Sequence, residues 1–417
     1  MNMPPHFYYH FYPVGQGLFA TGTLLGSDPE IPRFQWVYDC GSRWSNTPVI
    51  TSLESFRRWL QKRPVIDLLV ISHFDTDHIS GIVELLDRFQ VQTLMLPYMP
   101  LPQRLAVAFA QEATDGSDLF NVLINPIAFF SAEGRGWKIR EIVFVGPSGD
   151  DGPGDYPENA PEPGSNESGE LQLTVPEGEP DDQDDYAAMK SAVPETTTIP
   201  AIKFLKAGAK LSAGRTWEFV PYNDSPPKPV NDAFTELVIE KRDKLHRSNY
   251  SRERGRLLDE LKEAYDACFG SSGFARNVIS LFLWSGPKQG GAALRSSWSE
   301  SDDWCLWTNG EAPRAGILYT GDGYLNTPTR LSRIIGFFGG ARLGAMGILQ
   351  VMHHGSVKNW HSGVASSLDP LISVFCSEPT KGDKHPDGEV LRDFWGFNPV
   401  QVDERRDFTV SGYFTSV

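Results

Sequence analysis

The most constraining feature of this chain is the apolar run Ile66-Asp67-Leu68-Leu69-Val70-Ile71-Ser72, which ends directly in His73-Phe74-Asp75-Thr76-Asp77-His78. A short run with so little polarity reads as a strand covered on both faces, the kind found in the parallel sheets of layered α/β structures. In an extended or turning segment alternate side chains share a side. His73, Asp75 and Asp77 therefore face one cavity, and His78 turns in as the next helix, 79–89, begins. Imidazoles and carboxylates are the ligand types that bind Zn, Mn or Fe. Asp77 alone has an ordinary explanation as a helix cap. That explanation leaves His73, Asp75 and His78 without a purpose.

Three further polar groups follow strand-like runs. Asp322 lies in Tyr319-Thr320-Gly321-Asp322-Gly323, the pair His353-His354 precedes Gly355-Ser356, and His385 lies in Lys384-His385-Pro386-Asp387. A carboxylate at Asp322 can bridge two cations; taken alone it is an ordinary turn residue. Histidines gathered at strand ends are candidates for ligands or proton carriers.

The rest of the chain sets these motifs in an alternating pattern. Residues 6–25 read as a β-hairpin around Gly15-Gln16-Gly17, and 34–41 as a third strand. Residues 50–63 read as an amphipathic helix and 93–98 as a strand. Strand-like runs return at 216–223, 277–284, 316–319, 344–351 and 371–377, and 231–268 reads as one or two helices. Strands alternating with helices imply layered α/β architecture. No tandem repeat is present.

The net charge of −15 is unevenly spread. Residues 147–198 hold fourteen acids and a single lysine, so the remainder is nearly neutral and a phosphate-rich substrate is not excluded. That acidic stretch is rich in Gly, Pro and Ser, the composition of a flexible insertion; a guard that mimics nucleic acid is the functional alternative. Lys241, Arg242, Lys244, Arg247, Arg252, Arg254 and Arg256 form a basic cluster, either a solvated helix face or a surface for a phosphate backbone. Four scattered cysteines without a CxxC pair fit a reducing compartment. No signal-peptide pattern or run of transmembrane length is visible, and the expectation is a cytoplasmic protein with no membrane contact.

The combined pattern, HxDxDH, then TGD, HHGS and HP, resembles the metallo-β-lactamase superfamily. It is most similar to the subgroup typified by the soluble hydrolase domain of the DNA-uptake channel protein ComEC. Val14-Gly15-Gln16-Gly17, Asp39-Cys40-Gly41 and Asn277-Val278-Ile279-Ser280-Leu281 match that subgroup's further motifs. The resemblance spans roughly residues 10–100 and 275–390. It implies a four-layer αββα sandwich with a large inserted segment. Residues 1–145 and 276–417 would be its two halves, 146–198 the acidic flexible insertion, and 199–275 a strand plus helices carrying the basic cluster.

The resemblance also implies roles. His73 and Asp75, helped by Asn277, would hold one divalent metal; Asp77, His78 and His353 would hold a second, and Asp322 would bridge them. Asp77, His354 and His385 would be the catalytic group. His354 and His385 would line the substrate side, with His354 or His385 as the alternative ligand to His353. Asp39 would orient the HxDxDH loop or merely form an Asx-turn before Gly41. Asp75 stands where the commoner motif has histidine, and Asn277 where many members have one. The first site is thus oxygen-richer, which favours Mn²⁺ over Zn²⁺.

Two metals about 4 Å apart would activate a bridging water. The expected activity is phosphodiester hydrolysis of nucleic acid or nucleotides, with the 12% aromatic content available to stack bases. The rivals are an ester, lactone, thioester or β-lactam hydrolase of the same fold, and a subunit of a multi-protein assembly such as an antiviral defence system. In the last case 146–275 would be a docking surface for a protein partner.

Overall fold

The structure, a computed structural model, describes residues 6–25, 32–60, 63–132, 134–148, 173–180, 182–206, 208–214, 217–223, 231–247, 252–269, 280–288, 292–297, 303–304, 314–382 and 384–414. Among these, two β-sheets pack face to face with helices on both outer sides.

The first sheet is built around His6–Phe11, Phe19–Leu25, Pro32–Cys40, Val65–Val70, Gln90–Pro97, Ile139–Val145 and Ala201–Leu205, in that spatial order, with Phe408–Phe414 beside His6–Phe11. The hairpin expected at the N-terminus is present, with Tyr9 opposite Gly22. From Pro32–Cys40 through Ala201–Leu205 neighbouring strands are parallel. The second sheet is centred on Trp217–Asn223, Leu281–Pro287, Gly316–Tyr319, Met346–Gln350, Ile372–Cys376 and Pro399–Val402, and its last four strands are parallel.

Three buried clusters account for the four layers. One lies between the first sheet and the helices Thr47–Trp59, Ile82–Arg88, Leu101–Ala110, Asp232–Arg247 and Arg252–Phe269. The second fills the space between the sheets, and the third lies under Pro328–Gly344, Val364–Leu368 and Gly388–Phe394. The inter-sheet layer is strongly aromatic, with Trp36 edge-on to Phe219 at 5.2 Å and Tyr38 stacked on Tyr319 at 4.6 Å. Its polar tips bond across the layer. Tyr9 Oη donates to the Ala315 carbonyl and Tyr38 Oη to the Leu281 carbonyl, each at 2.7 Å. Left unmade, each would cost about 1–3 kcal/mol, so these tyrosines fix how one sheet sits on the other.

The helix expected at 50–63 runs Thr47–Trp59, with Pro48 in its first turn. The single helix expected at 79–89 is broken: Thr76–Ile79 ends and Ile82–Arg88 begins around Ser80-Gly81. Gly81 sits so close to Val49 and Cys40 that a Cβ there would meet Val49 Cγ1 at 2.4 Å, and its N–H bonds the Cys40 carbonyl. Tertiary contact thus overrides local helix propensity. No helix among the described residues is long and apolar enough to cross a membrane.

The expectation of a flexible insertion over 146–198 needs correction in its second half. Residues 149–172 lie outside the described residues. The remainder is folded onto the body through the helix Gln183–Ser191. Asp185 is buried, and its two carboxylate oxygens accept from Arg104 Nη2 at 2.7 and 2.6 Å. Asn125 donates to the Met189 carbonyl at 2.9 Å. Composition averages over the segment and misses that one of its acids has a buried arginine waiting for it.

Candidate metal centre

Every residue of the centre leaves the carboxyl end of a parallel strand, where α/β sheets place their ligands. Asp39 ends Pro32–Cys40, the His73–His78 loop follows Val65–Val70, and Asp322 follows Gly316–Tyr319. His353 and His354 follow Met346–Gln350, and His385 lies in the loop after Ile372–Cys376. The two sheets bring these loops to one edge of the sandwich. Gly41 lets two of them touch: a Cβ there would lie 2.6 Å from the backbone of Asp77 and His78.

Asp322 is the hub. Its Oδ1 lies 3.1 Å from His78 Nε2 and 3.7 Å from His354 Nε2. Its Oδ2 lies 3.6 Å from His73 Nε2 and 3.4 Å from His353 Nε2. One carboxylate therefore faces two half-sites with its two oxygens. Asp75 Oδ2 is 3.9 Å from His73 Nε2, and Asp77 Oδ2 is 3.2 Å from His354 Nε2. Two sets of donor atoms, from His73, His78 and Asp322 and from Asp77, His78 and His354, each lie within 4.8 Å of one another.

The outer ring nitrogens are all anchored. His78 Nδ1 meets Asp39 Oδ2 at 2.8 Å, His73 Nδ1 meets Ser72 Oγ at 2.9 Å, and His353 Nδ1 meets Asn359 Oδ1 at 2.6 Å. His354 Nδ1 meets the Cys376 carbonyl. With Nδ1–H donating outward, each Nε2 presents a lone pair inward, the tautomer that a metal ligand requires. Among the described residues His73 Nε2 and His78 Nε2 are buried without a hydrogen-bond partner. Buried polar atoms are rarely left so unless something absent from the protein chain satisfies them. The donor set, imidazole nitrogens around carboxylate oxygens with no thiolate among the described residues, fits divalent metal ions.

The electrostatics point the same way. Burial, with His78 beside it, pushes His73 down to about 3, so its ring is neutral at any physiological pH. Burial opposes charge on His78 too, but the Asp322 and Asp39 carboxylates outweigh it and hold His78 well above the usual imidazole range. Burial would raise Asp322, yet His353, His78 and His354 together hold it well below the usual carboxylate range. A nest of buried carboxylates this dense calls for positive charge at its centre.

The structure gives the two adjacent histidines different surroundings. His354, expected on the substrate side or as the alternative ligand to His353, is buried against Asp77 and Asp322. His353, expected beside Asp77 and His78, has a side chain 27% exposed and sits instead over Asp322 Oδ2. Both residues have positive φ, 45° and 58°. That tight turn, not strand alternation, decides which ring points inward. His385 stands further out, its ring 6.1 Å from that of His353 and its Nδ1 3.5 Å from Asp387 Oδ2. Asn277 lies outside the described residues. Asp39 is more than a turn residue, since it also accepts from Ser72 N at 2.7 Å and Ser72 Oγ at 2.6 Å.

Sequence reading missed three supports: Ser72, Asn359 and Gln111. Gln111 donates to Asp75 Oδ1 at 2.6 Å from the end of Leu101–Ala110. Ser72 and Asn359 lie close in sequence to histidine motifs and could have been suspected; nothing local marks Gln111.

Among the described residues the basic cluster of 241–256 is partly paired off, while Lys244, Arg252 and Arg256 are exposed. Arg254 is buried and pairs with Asp115 at 3.0 Å, Lys241 pairs with Glu260 at 3.2 Å, and Arg242 lies 3.7 Å from Asp184. Around the metal centre, Arg43, Lys358, Lys381 and Lys384 are exposed on the loops that carry or adjoin its residues, and Lys381 pairs with Glu404 at 2.6 Å.

No family model matches this sequence, and no curated protein matches it. Among solved structures it is similar to a long form RNase Z from yeast, at 10% identity over 83% of this chain and 32% of that one, with a TM-score of 0.31. It is also similar to the metallo-β-lactamase fold protein YhfI from Bacillus subtilis, at 10% identity over 97% of this chain and 99% of that one, with a TM-score of 0.36. The chain thus spans about a third of the yeast protein's length. The order of the four layers and the meeting of the HxDxDH, TGD and HHGS loops at one edge are the architecture that the sequence resemblance implied.

Proposed function

We propose that this protein is a metal-dependent hydrolase that cleaves phosphodiester bonds in nucleic acid or nucleotides. The observation that carries the reading is the pair of overlapping donor groups sharing His78, with the two oxygens of Asp322 turned toward both. The phosphodiester preference draws support from the exposed Lys358 and Lys384 on loops of the centre, in a chain whose net charge is −15.

Two divalent cations held in this centre would supply Lewis acidity at the phosphoryl oxygen and lower the pKa of a water. The chain's own residues do the rest. His73, His78 and Asp322 would hold one half of the centre, with Asp75 beside them, and His78, His354 and Asp77 would hold the other. Asp39 and Gln111 keep the HxDxDH loop from rotating. His353 and His385, the more exposed histidines of the group, would be the residues that protonate the leaving oxygen.

The test is hydrolysis of bis(p-nitrophenyl) phosphate, single-stranded DNA and RNA by metal-stripped protein re-supplied with Mn²⁺ or Zn²⁺. Turnover should return with metal and vanish in Asp77→Ala. Two bound ions per chain with no phosphodiester turnover would overturn the reading in favour of ester or lactone chemistry.

A further inference from the structure

Trp44 has no role in the centre itself, but it lies between the loop of Gly41 and the loop that leads to His385. It follows Gly41, Ser42 and Arg43, and Gly41 rests on the Asp77–His78 backbone. Buried Gln16 ties this loop to the one that carries His385. Its carbonyl accepts from Arg43 N at 2.8 Å, and its side-chain oxygen accepts from Glu378 N at 3.2 Å. Trp44 closes the same junction. Gly382 (φ +55°) passes so near the indole that a Cβ there would lie 2.5 Å from Trp44 Cζ2. Lys381 Nζ sits 5.8 Å from the ring centroid while bonding Glu404 at 2.6 Å. The indole is nevertheless 40% exposed. A large aromatic ring braced along one edge by backbone, beside a lysine and left open to solvent, is the arrangement of a stacking platform. Lys384 is exposed immediately before His385.

We propose that Trp44 is a specificity-determining residue. It stacks a nucleobase of the substrate, and Lys384 holds the adjoining phosphate as the scissile bond enters the metal centre. The inference rests on the phosphodiesterase reading and names the part of the substrate that lies outside the metals. A base stacked on the indole makes the site prefer single-stranded or unpaired nucleotides, because a base within a duplex has no free face to offer.

The experiment compares a single-stranded oligonucleotide with one of equal length and charge that is abasic throughout, using the Mn²⁺-loaded full chain and its Trp44→Ala and Trp44→Phe variants. Thermal melts verify that each variant is folded. Stacking on one base predicts that Trp44→Ala raises KM for the normal oligonucleotide about tenfold. It also predicts an unchanged kcat, little effect on the abasic strand, and recovery in Trp44→Phe. Equal losses on both strands, or no loss on either, would overturn the stacking role while leaving the phosphodiesterase intact. If the parent protein cleaves neither strand, the phosphodiesterase reading fails, and this inference with it.

Discussion

Replacing Asp39 by Asn separates an orienting role from a turn role by changing one heavy atom. Asp39 is fully buried, has φ of 57°, and accepts three hydrogen bonds, from Ser72 N, Ser72 Oγ and His78 Nδ1. Asparagine tolerates that backbone and forms the same Asx-turn, so a turn residue would be replaced at almost no cost. An orienting residue would not. Asparagine keeps one acceptor oxygen; once it serves Ser72 N, the amide N–H₂ faces Ser72 Oγ and His78 Nδ1. His78 must then accept at Nδ1 and carry its proton on Nε2, 3.1 Å from Asp322 Oδ1, where a ligand lone pair is required. Loss of such an outer partner costs about 10–100-fold in metal affinity, or about 1.4–2.8 kcal/mol. Competition against a chromophoric chelator, with Zn²⁺ and Mn²⁺ in turn, measures this directly, and a thermal melt of the metal-free protein checks the fold. Affinity within twofold of the parent in a folded Asp39→Asn protein would refute the orienting role and the tautomer argument together.

The different surroundings of the two histidines predict that His354→Ala loses bound metal on dialysis, whereas His353→Ala retains more metal and loses chiefly turnover. Elemental analysis beside kcat decides this, and the reverse order would restore the assignment expected from sequence. Asp185→Ala strands the buried Arg104 guanidinium and should cost about 3–5 kcal/mol of stability; a urea titration showing under about 1 kcal/mol would mean that the Gln183–Ser191 helix is only loosely docked. The same cluster makes the protein acid-labile. Burial holds His246 below its usual value of 6.5, so the unfolded chain takes up the proton first and stability is lost as pH falls below about 6.5. Burial would raise Asp185, but Arg104 and His246 outweigh it and depress the carboxyl, so a second loss follows as pH falls below about 4. Urea midpoints from pH 8 to 3 should fall in these two windows, and His246→Gln should reduce the upper one, to which the depressed His73 also contributes.

Much of the centre was legible in the sequence because its ligands sit in short motifs at the ends of apolar runs. A buried strand such as Val65–Val70 is encoded locally, by near-continuous apolarity, and so is the turn that follows it. His73, Asp75, Asp77, His78, Asp322 and the His353–His354 pair could therefore be named as one chemical set before any of them was placed in space. The layered architecture was legible for the same reason, since alternating strands and helices leave few ways to bury their apolar faces.

What the tertiary structure decided lies in contacts between residues far apart in the chain and in backbone turns that carry no hydrophobic signal. Which histidine of the pair faces Asp77 depends on two positive φ angles and on the Cys376 carbonyl and Asn359 oxygen waiting to receive the rings. Gln111 reaches Asp75 from a separate helix, and Asp185 finds Arg104 across 81 residues of sequence. Composition marked the acidic stretch as solvated and the 241–256 cluster as cationic. Charge is a sum over a segment, however, whereas an ion pair depends on one partner at one position, and only folding supplied Asp115, Glu260 and Arg104 to their opposites. Local pattern thus determined the ligand chemistry and the layers, while the packing of the two sheets determined which ligands meet, in which tautomer, and beside which open aromatic ring.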